Sequence, residues 1–190
     1  MALKEWDKVI VDYSELLKRF PGDYNAMYYR GWAHENLGHW NAALADYSKT
    51  VELDPKNGTA HNRLAWVLAT CADVKVRNPG RAVELARKAV RLEPRNSVYW
   101  QTLGHAEYRA ENWESAIAVL DRARALGIPG RSLEWFLLAM AHWRLGLKEE
   151  AVNWYAQAVA WMEKNQPTNK ALRRFRAEAA ELLGIEEKKD

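Results

Sequence analysis

Apolar side chains recur at three- and four-residue steps along most of this chain. In the segment 40–53 these steps join Trp40, Ala43, Leu44, Tyr47, Thr50 and Val51. In the segment 131–145 they join Leu133, Phe136, Leu137, Met140 and Trp143. Such spacing places the side chains on one face of an α-helix, and no sustained strand-like alternation is present. The pattern therefore predicts an all-α chain of antiparallel helix pairs with short turns between them.

Ten helices are predicted from this periodicity. They cover 3–19, 24–37, 40–53, 59–71, 79–92, 97–110, 113–126, 132–145, 148–164 and 168–183. Five polar residues stand near predicted helix starts: Asp54, Asn57, Ser97, Ser132 and Asn169. A side-chain oxygen at such a position can accept a hydrogen bond from a free backbone N–H and so favours the start of a helix.

Similar segment endings repeat along the chain. The endings LLKRFPGD, TVELDPKN, AVRLEPRN and ARALGIPG place Pro21, Pro55, Pro94 and Pro129 at successive spacings of 34, 39 and 35 residues. In phase with them, Leu-Gly pairs end at Gly38 and Gly146, where one helix is expected to stop and reverse. A fixed period of this length indicates a helical repeat protein.

The repeated residues resemble the tetratricopeptide repeat. Trp100, Leu103 and Gly104 match its opening pattern, and Ala43, Tyr47 and Pro55 match its closing pattern, with tyrosine in place of phenylalanine. The resemblance covers essentially the whole chain. It implies a right-handed superhelical α-solenoid, with a C-terminal capping helix, that binds other proteins and has no catalytic activity. The stretched second repeat and the non-identical repeats favour a natural array of bacterial type, with an engineered array as the alternative.

The repeat boundaries divide a single domain, 1–190, into six segments. They are a half repeat at 1–23, full repeats at 24–57, 58–96, 97–131 and 132–165, and a capping helix with its tail at 166–190. Five extra residues in the second full repeat predict a longer turn at about 72–79. The capping helix is predicted to bury an apolar stripe of Leu172, Phe175, Ala179 and Leu182. Gly31, Gly104, Ala43 and Ala151 are expected to let helices approach closely.

In the tetratricopeptide family the first helix of each pair lines a concave groove. The resemblance places twelve candidate peptide-binding residues there: Asn25, Tyr28, Trp32, Asn62, Arg63, Trp66, Gln101, His105, Tyr108, Phe136, Met140 and Trp143. The set is rich in aromatic side chains and amides, and Trp, Tyr and Arg are the residues that most often anchor interfaces. We therefore expect an unidentified protein or peptide as the partner. The alternative is that these side chains are buried between neighbouring helices.

Some members of the family bind a terminal carboxylate with Lys and Asn residues in the groove. This chain has Tyr28, Tyr29 and Trp32 at the first of those positions, and its later repeats offer Arg63 and Arg109 without a paired lysine. Aromatic residues in place of lysine and asparagine argue against a carboxylate clamp. A neutral partner that contacts aromatic side chains is the better expectation.

Residues for catalysis or metal binding do not form a known pattern. The five histidines include no HxxxH or HExxH pair, and Cys71 is the only cysteine. His34 and His142 share a repeat position that is usually an aromatic core site, so both are expected to pack. Trp6, Trp40 and Trp113 also recur in phase, which indicates packing. We therefore predict no enzyme activity, no cofactor and no metal site.

A basic cluster between 77 and 95 supports a different hypothesis. It contains Arg77, Arg81, Arg87, Lys88, Arg91 and Arg95, against only Glu84 and Glu93. Weak binding of an anion or RNA is one interpretation, and a solvated outer face is the other. The cluster lacks interleaved aromatic residues, and the net charge of the chain is only +3. Both facts argue against a nucleic-acid partner.

The half repeat at the N-terminus leaves a structural role open. The array is then a spacer or a self-assembling part of a larger protein, and a homo-oligomer is one form of that hypothesis. No apolar run approaches the length of a membrane span, and the N-terminus lacks the apolar core of a signal peptide. A cytoplasmic location without membrane contact is the resulting expectation.

Overall fold

The computed structural model describes residues 3–127 and 132–186. The regular secondary structure in these two ranges is entirely helical, which confirms the predicted all-α class. The α-helices are α1 (Leu3–Arg19), α2 (Tyr24–Asn36), α3 (Trp40–Leu53), α4 (Gly58–Thr70), α5 (Pro79–Leu92), α6 (Ser97–Arg109), α7 (Trp113–Ala125), α8 (Ser132–Arg144), α9 (Lys148–Asn165) and α10 (Lys170–Leu183). None of them is both long enough and apolar enough to cross a membrane.

The predicted helix boundaries agree with these to within two residues. Asn57 and Asn169 cap α4 and α10 as expected, through side-chain oxygens that accept from Ala60 N–H and from Ala171 and Leu172 N–H. Asn96, and not Ser97, caps α6. Asp54 is the C-cap residue of α3 rather than a residue that starts α4, and its side chain accepts from Lys56 N–H in the turn between them. The Ser132 side chain and Pro129 lie outside the described residues.

The five-residue insertion forms a structured turn in the place predicted for it. Its centre is a short 3-10 helix, Val74–Val76. Arg77 Nε donates to the Cys71 carbonyl at 2.7 Å, and Asn78 N–H donates to the Leu68 carbonyl at 3.0 Å. These bonds return the chain to the end of α4, so that α5 begins in position to pair with it.

The described helices form two compact units. Unit 1 runs to Pro94 and contains α1 to α5; unit 2 starts at Arg95 and contains α6 to α10. In unit 1, α2 pairs with α3 and α4 pairs with α5, while α1 packs against α2. In unit 2, α6 pairs with α7 and α8 pairs with α9, and α10 packs mainly against α8. Each unit thus buries its apolar faces by stacking helix pairs.

Close approach inside the pairs depends on two glycines. A β-carbon on Gly31 of α2 would lie 3.1 Å from the side chains of Asp46 and Tyr47 in α3. A β-carbon on Gly104 of α6 would lie 2.5 Å from Leu120 Cδ2 in α7. Ala43 and Ala151 are fully buried on α3 and α9. The expected role of small residues is therefore confirmed, because a larger side chain would force the paired helices apart.

Four helices, α2, α6, α8 and α10, end in the same left-handed turn. One residue just past the last helical turn has a positive φ, namely Gly38, Glu111, Gly146 and Gly184. The N–H of the next residue donates to a carbonyl five residues earlier, in the pairs His39 to His34, Asn112 to Glu107, Leu147 to His142 and Ile185 to Ala180. This is the Schellman arrangement, in which the two paired residues also bring their side chains together.

Candidate functional site

In unit 1 the predicted groove residues of α2 lie on an open helix face. Asn25 is exposed, Tyr28 is half-buried and 36% of the Trp32 surface is exposed. Ala26, Met27, Gly31 and Ala33 form the buried face of the same helix. Positions 25, 28 and 32 therefore share one side of α2, away from its packing face, as their spacing predicts.

The α2 aromatic residues belong to a larger aromatic surface. Trp32 meets Trp6 of α1 edge to face, with ring centroids 5.2 Å apart. Tyr29 stacks on Tyr13 of α1 at 5.7 Å and contacts Tyr28 at 5.3 Å. Sequence reasoning missed Tyr13 and Tyr29 as parts of this surface, and it assigned Trp6 to packing alone. These five aromatic residues, Trp6, Tyr13, Tyr28, Tyr29 and Trp32, form one surface with the exposed Asn25 of α2. We call it the α1–α2 aromatic surface.

The α4 residues add polar groups to unit 1. Trp66 and Arg63 are half-buried, and Asn62 is buried with 7% of its surface exposed. Within the described residues, the Asn62 Oδ1 atom has no hydrogen-bond partner. Asn62 is thus buried, and the expectation that it faces an accessible groove is wrong.

Arg63 is engaged by a buried carboxylate. Its Nη1 lies 3.6 Å from Glu35 Oε1, and the Tyr47 hydroxyl donates to Glu35 Oε2 at 2.6 Å. Burial raises the pKa of the Glu35 carboxyl, although Tyr47 and Arg63 act in the opposite direction. A ligand carboxylate would have to compete with Glu35 for Arg63. The arrangement agrees with the expected absence of a carboxylate clamp.

In unit 2 the structure corrects the predicted groove. Gln101, His105, Tyr108, Phe136 and Met140 are all buried, with 8% or less of each surface exposed. Phe136 and Met140 lie in the same hydrophobic core as Leu172 and Phe175 of α10. The expectation that these five residues face an accessible groove is therefore wrong.

The helix α10 covers helices α6 and α8 of unit 2. Phe175 meets His105 of α6 edge to face at 5.5 Å. Glu178 forms a bidentate ion pair with Arg109, in which Arg109 Nη2 donates to Oε2 at 2.8 Å. The Arg109 guanidinium also lies over the rings of Tyr108 and Phe175. Leu172, Phe175 and Ala179 are buried as predicted, while Leu182 is half-buried and Leu183 takes the last buried place.

Burial has a strong effect on His105. Desolvation, followed by the nearby positive charges of Arg109 and Arg174, lowers the pKa of His105 to about 3. The imidazole is therefore neutral at physiological pH. His105 is therefore a buried, neutral core residue under α10 and is not exposed to a ligand.

The last predicted groove residue, Trp143, is half-buried near the end of α8. Lys148 Nζ lies 5.2 Å from its ring centroid. Of the six candidate residues in unit 2, Trp143 is the most accessible. The candidate ligand surface therefore consists mainly of the residues of unit 1.

Two other kinds of candidate site remain, a metal-binding group of side chains and the basic residues of α5. Among the described residues, no group of three or more His, Cys, Asp and Glu side chains is arranged to hold a metal ion. The arginines of α5 lie opposite its buried face: Arg81, Arg87 and Arg91 are exposed, whereas Ala82, Val83, Ala86, Ala89 and Val90 are buried. The outward position of these arginines follows the helical periodicity.

Comparison with known families identifies the repeats. Two sequence profiles, each described as a tetratricopeptide repeat, match residues 102–170 and residues 24–57. The second range coincides with the first full repeat predicted from the sequence. Together the two ranges cover more than half of the chain.

Curated relatives share only a short segment with this chain. The FK506-binding protein-like proteins of Mus musculus and Homo sapiens are each 42% identical over 53 residues. The match spans 28% of this chain and 15% of each relative.

Solved structures with the same fold match a larger share of this chain. MamA from Desulfovibrio magneticus RS-1 is 20% identical, covers 85% of this chain and 88% of its own, and has a TM-score of 0.71. YrrB, described as a TPR protein with an unusual peptide-binding site, is 17% identical over 92% of this chain and 84% of its own, with a TM-score of 0.68. TTC0263 from Thermus thermophilus is 24% identical over 93% and 91%, with a TM-score of 0.64.

Proposed function

Because this chain is a tetratricopeptide repeat protein, we propose that it is a non-catalytic scaffold that binds a peptide segment of another protein on the inner face of unit 1. By inner face we mean the α1–α2 aromatic surface together with Arg63 and Trp66 of α4. The observation that carries the proposal is the exposed aromatic surface. Tyr29 and Trp32 expose 43% and 36% of their surfaces and belong to one cluster of contacting rings, and a contiguous exposed apolar patch is typical of an interaction site.

Aromatic side chains of this kind supply binding energy at low entropic cost. Trp32 and Tyr29 are each held by a ring of α1, at 5.2 Å from Trp6 and 5.7 Å from Tyr13. Side chains that are already held in place lose little rotamer freedom when a ligand covers them. Tryptophan and tyrosine in such positions are the residues expected to dominate an interface.

The charged group beside this surface favours an uncharged ligand. Arg63 is already paired with Glu35, so a negative charge on the ligand gains little there. YrrB, which has the same fold, is described by its peptide-binding site, and we extend a peptide ligand to this chain on that analogy.

A random-peptide phage library panned on the whole chain tests the proposal. The selected peptide is synthesised, and its affinity is measured by isothermal titration calorimetry for the wild type and for Trp32→Ala. We expect the substitution to weaken binding at least tenfold, or about 1.4 kcal/mol. Circular dichroism should show unchanged helix content, because Trp32 is partly exposed.

The matched control is Trp154→Ala. Trp154 is a half-buried tryptophan on α9 of unit 2 that lies under Arg124, and it is not among the residues of the proposed site. Its removal should leave peptide affinity unchanged. Equal affinity in all three proteins, or a loss confined to Trp154→Ala, would contradict binding at the inner face of unit 1.

A further inference from the structure

The rings of the α1–α2 aromatic surface carry hydrogen-bond donors. Trp6 and Trp32 each have an indole N–H, and Tyr13 and Tyr29 each have a phenol hydroxyl. All four side chains are half-buried or exposed. Within residues 3–127 and 132–186, their only recorded contacts are between rings, and none of these N–H and O–H groups is hydrogen-bonded to another protein group. The surface therefore has donors that a ligand can use.

The charge next to these rings favours a ligand that supplies neutral acceptors. Arg63 Nη1 lies 3.6 Å from Glu35 Oε1, so its positive charge is already balanced inside unit 1. A carboxylate on the ligand would gain little from Arg63. Carbonyl oxygens can instead accept from the indole and phenol groups without bringing a charge to the surface. Complementarity thus points to a neutral chain that is rich in free carbonyl groups.

The main chain of a proline-rich segment has this chemistry. An α-helical ligand uses its carbonyl groups in internal hydrogen bonds, and an extended strand has as many N–H donors as carbonyl acceptors. Proline has a carbonyl group and no N–H. A polyproline II helix has no internal hydrogen bonds, so its carbonyl groups stay free to accept from a protein surface.

The arrangement of the rings suits a ligand of this shape. They form two pairs across the two helices, Trp6 with Trp32 at 5.2 Å and Tyr13 with Tyr29 at 5.7 Å. The pairs are seven residues apart on α1 and three residues apart on α2, or about 10 Å and about 5 Å along the helix axes. One polyproline II turn of three residues spans about 9 Å, so successive turns can contact successive ring pairs.

We propose that the inner face of unit 1 binds a proline-rich segment in the polyproline II conformation. The inference rests on the proposed peptide-binding function and names the class of its ligand. The proline rings pack on Trp6, Trp32, Tyr13 and Tyr29, and the peptide carbonyl groups accept from the indole and phenol donors. Such a ligand is already extended before it binds, so it loses little conformational freedom on the surface.

Isothermal titration calorimetry of the full chain with two capped peptides tests the inference. One peptide contains three repeats of Pro-Pro-Gln, and the other contains three repeats of Ala-Ala-Gln, with equal length and no charge. We expect the proline peptide to bind at least tenfold more tightly than the alanine peptide. The indole N–H signals of Trp6 and Trp32 in ¹H–¹⁵N NMR spectra should shift as the proline peptide is added, because these groups donate to it.

The donor role is tested by a double variant, Tyr13→Phe with Tyr29→Phe, that keeps both rings and removes both hydroxyls. Its affinity for the proline peptide should fall about two- to tenfold, as expected for the loss of hydrogen bonds. Circular dichroism checks that the variant keeps its helix content. Trp154→Ala is the matched control and should leave this affinity unchanged.

Three results would overturn the inference: equal affinity for the two peptides, indole signals that do not shift, or full affinity in the double variant. If the proline peptide fails to bind while the phage-selected peptide still requires Trp32, only this inference is wrong. If the phage-selected peptide binds Trp32→Ala as tightly as the wild type, the proposed function is wrong as well.

Discussion

Single residues determine how closely the helices of each pair approach. Gly104 of α6 has no room for a β-carbon, because Leu120 of α7 occupies the space that it would need. Leu120 is itself fully buried and cannot move without disturbing the core of unit 2. The match of Gly104 to the family pattern thus has a direct physical cause.

Replacement of Gly104 by alanine should destabilise the protein. The added methyl group would lie 2.5 Å from Leu120 Cδ2, and overpacking of this kind costs about 1–3 kcal/mol. Urea denaturation measures the change. Gly80→Ala is the control, since Gly80 lies in α5 with open space around its β-position, and it should be neutral or slightly stabilising. Equal midpoints for the two variants would disprove the packing role of Gly104.

The buried histidine of α6 gives a pH dependence. Its pKa is about 3 in the folded chain and about 6.5 in the unfolded chain, so the unfolded state binds a proton more readily below pH 6.5. The contribution of His105 to stability is fully present above pH 6.5. It decreases as the pH falls toward 3, by up to about 1.4 kcal/mol per pH unit.

Urea unfolding of the wild type and of His105→Gln at pH 7.5, 5.5 and 4.5 isolates this contribution. The other histidines are common to both proteins, so the difference between their pH slopes belongs to His105. We expect a shallower slope for the variant. The two positive groups that disfavour the protonated ring, Arg109 and Arg174, are unchanged in both proteins. Parallel slopes would contradict a neutral buried His105.

Among the elements, α10 has the largest effect on which predicted groove residues are accessible. The sequence predicted its position, its apolar stripe and its capping role from local periodicity. It did not predict that α10 lies on α6 and α8, because that placement depends on contacts such as Arg109 with Glu178, which are 69 residues apart. Likewise, Trp32 of α2 and His105 of α6 occupy equivalent repeat positions, yet Trp32 is exposed and His105 is buried. Only the neighbouring helix distinguishes them.

The Arg109–Glu178 ion pair should contribute to holding α10 in place. Arg109 exposes 12% of its side chain and Glu178 exposes 33%, so solvent screens the pair only in part. We expect Glu178→Gln to reduce the free energy of unfolding by about 1–2 kcal/mol, less than for a fully buried pair. Hydrogen exchange should show faster exchange of the α10 amides.

An exposed ion pair on the same helix is the control for that measurement. Arg176 of α10 contacts Glu163 of α9, whose side chain is 59% exposed. Glu163→Gln should change stability by less than about 0.5 kcal/mol and leave exchange in α10 unaltered. The same loss in both variants would mean that Arg109 has no special part in docking α10.

For the whole molecule, the two units differ in what they offer a partner. Both are built from the same helix pairs, and regular spacing predicted those pairs well. Unit 1 presents the α1–α2 aromatic surface, whereas helices α6 and α8 of unit 2 are covered by α10. We therefore propose that a partner binds unit 1.

Photo-cross-linking with the phage-selected peptide tests this account most directly. The peptide carries a benzophenone side chain, and the modified residues of the wild-type chain are identified by mass spectrometry. The account predicts adducts on α1, α2 and α4, within 3–36 and 58–70, that an excess of unlabelled peptide abolishes. Competed adducts on α6 and α8 instead would contradict it.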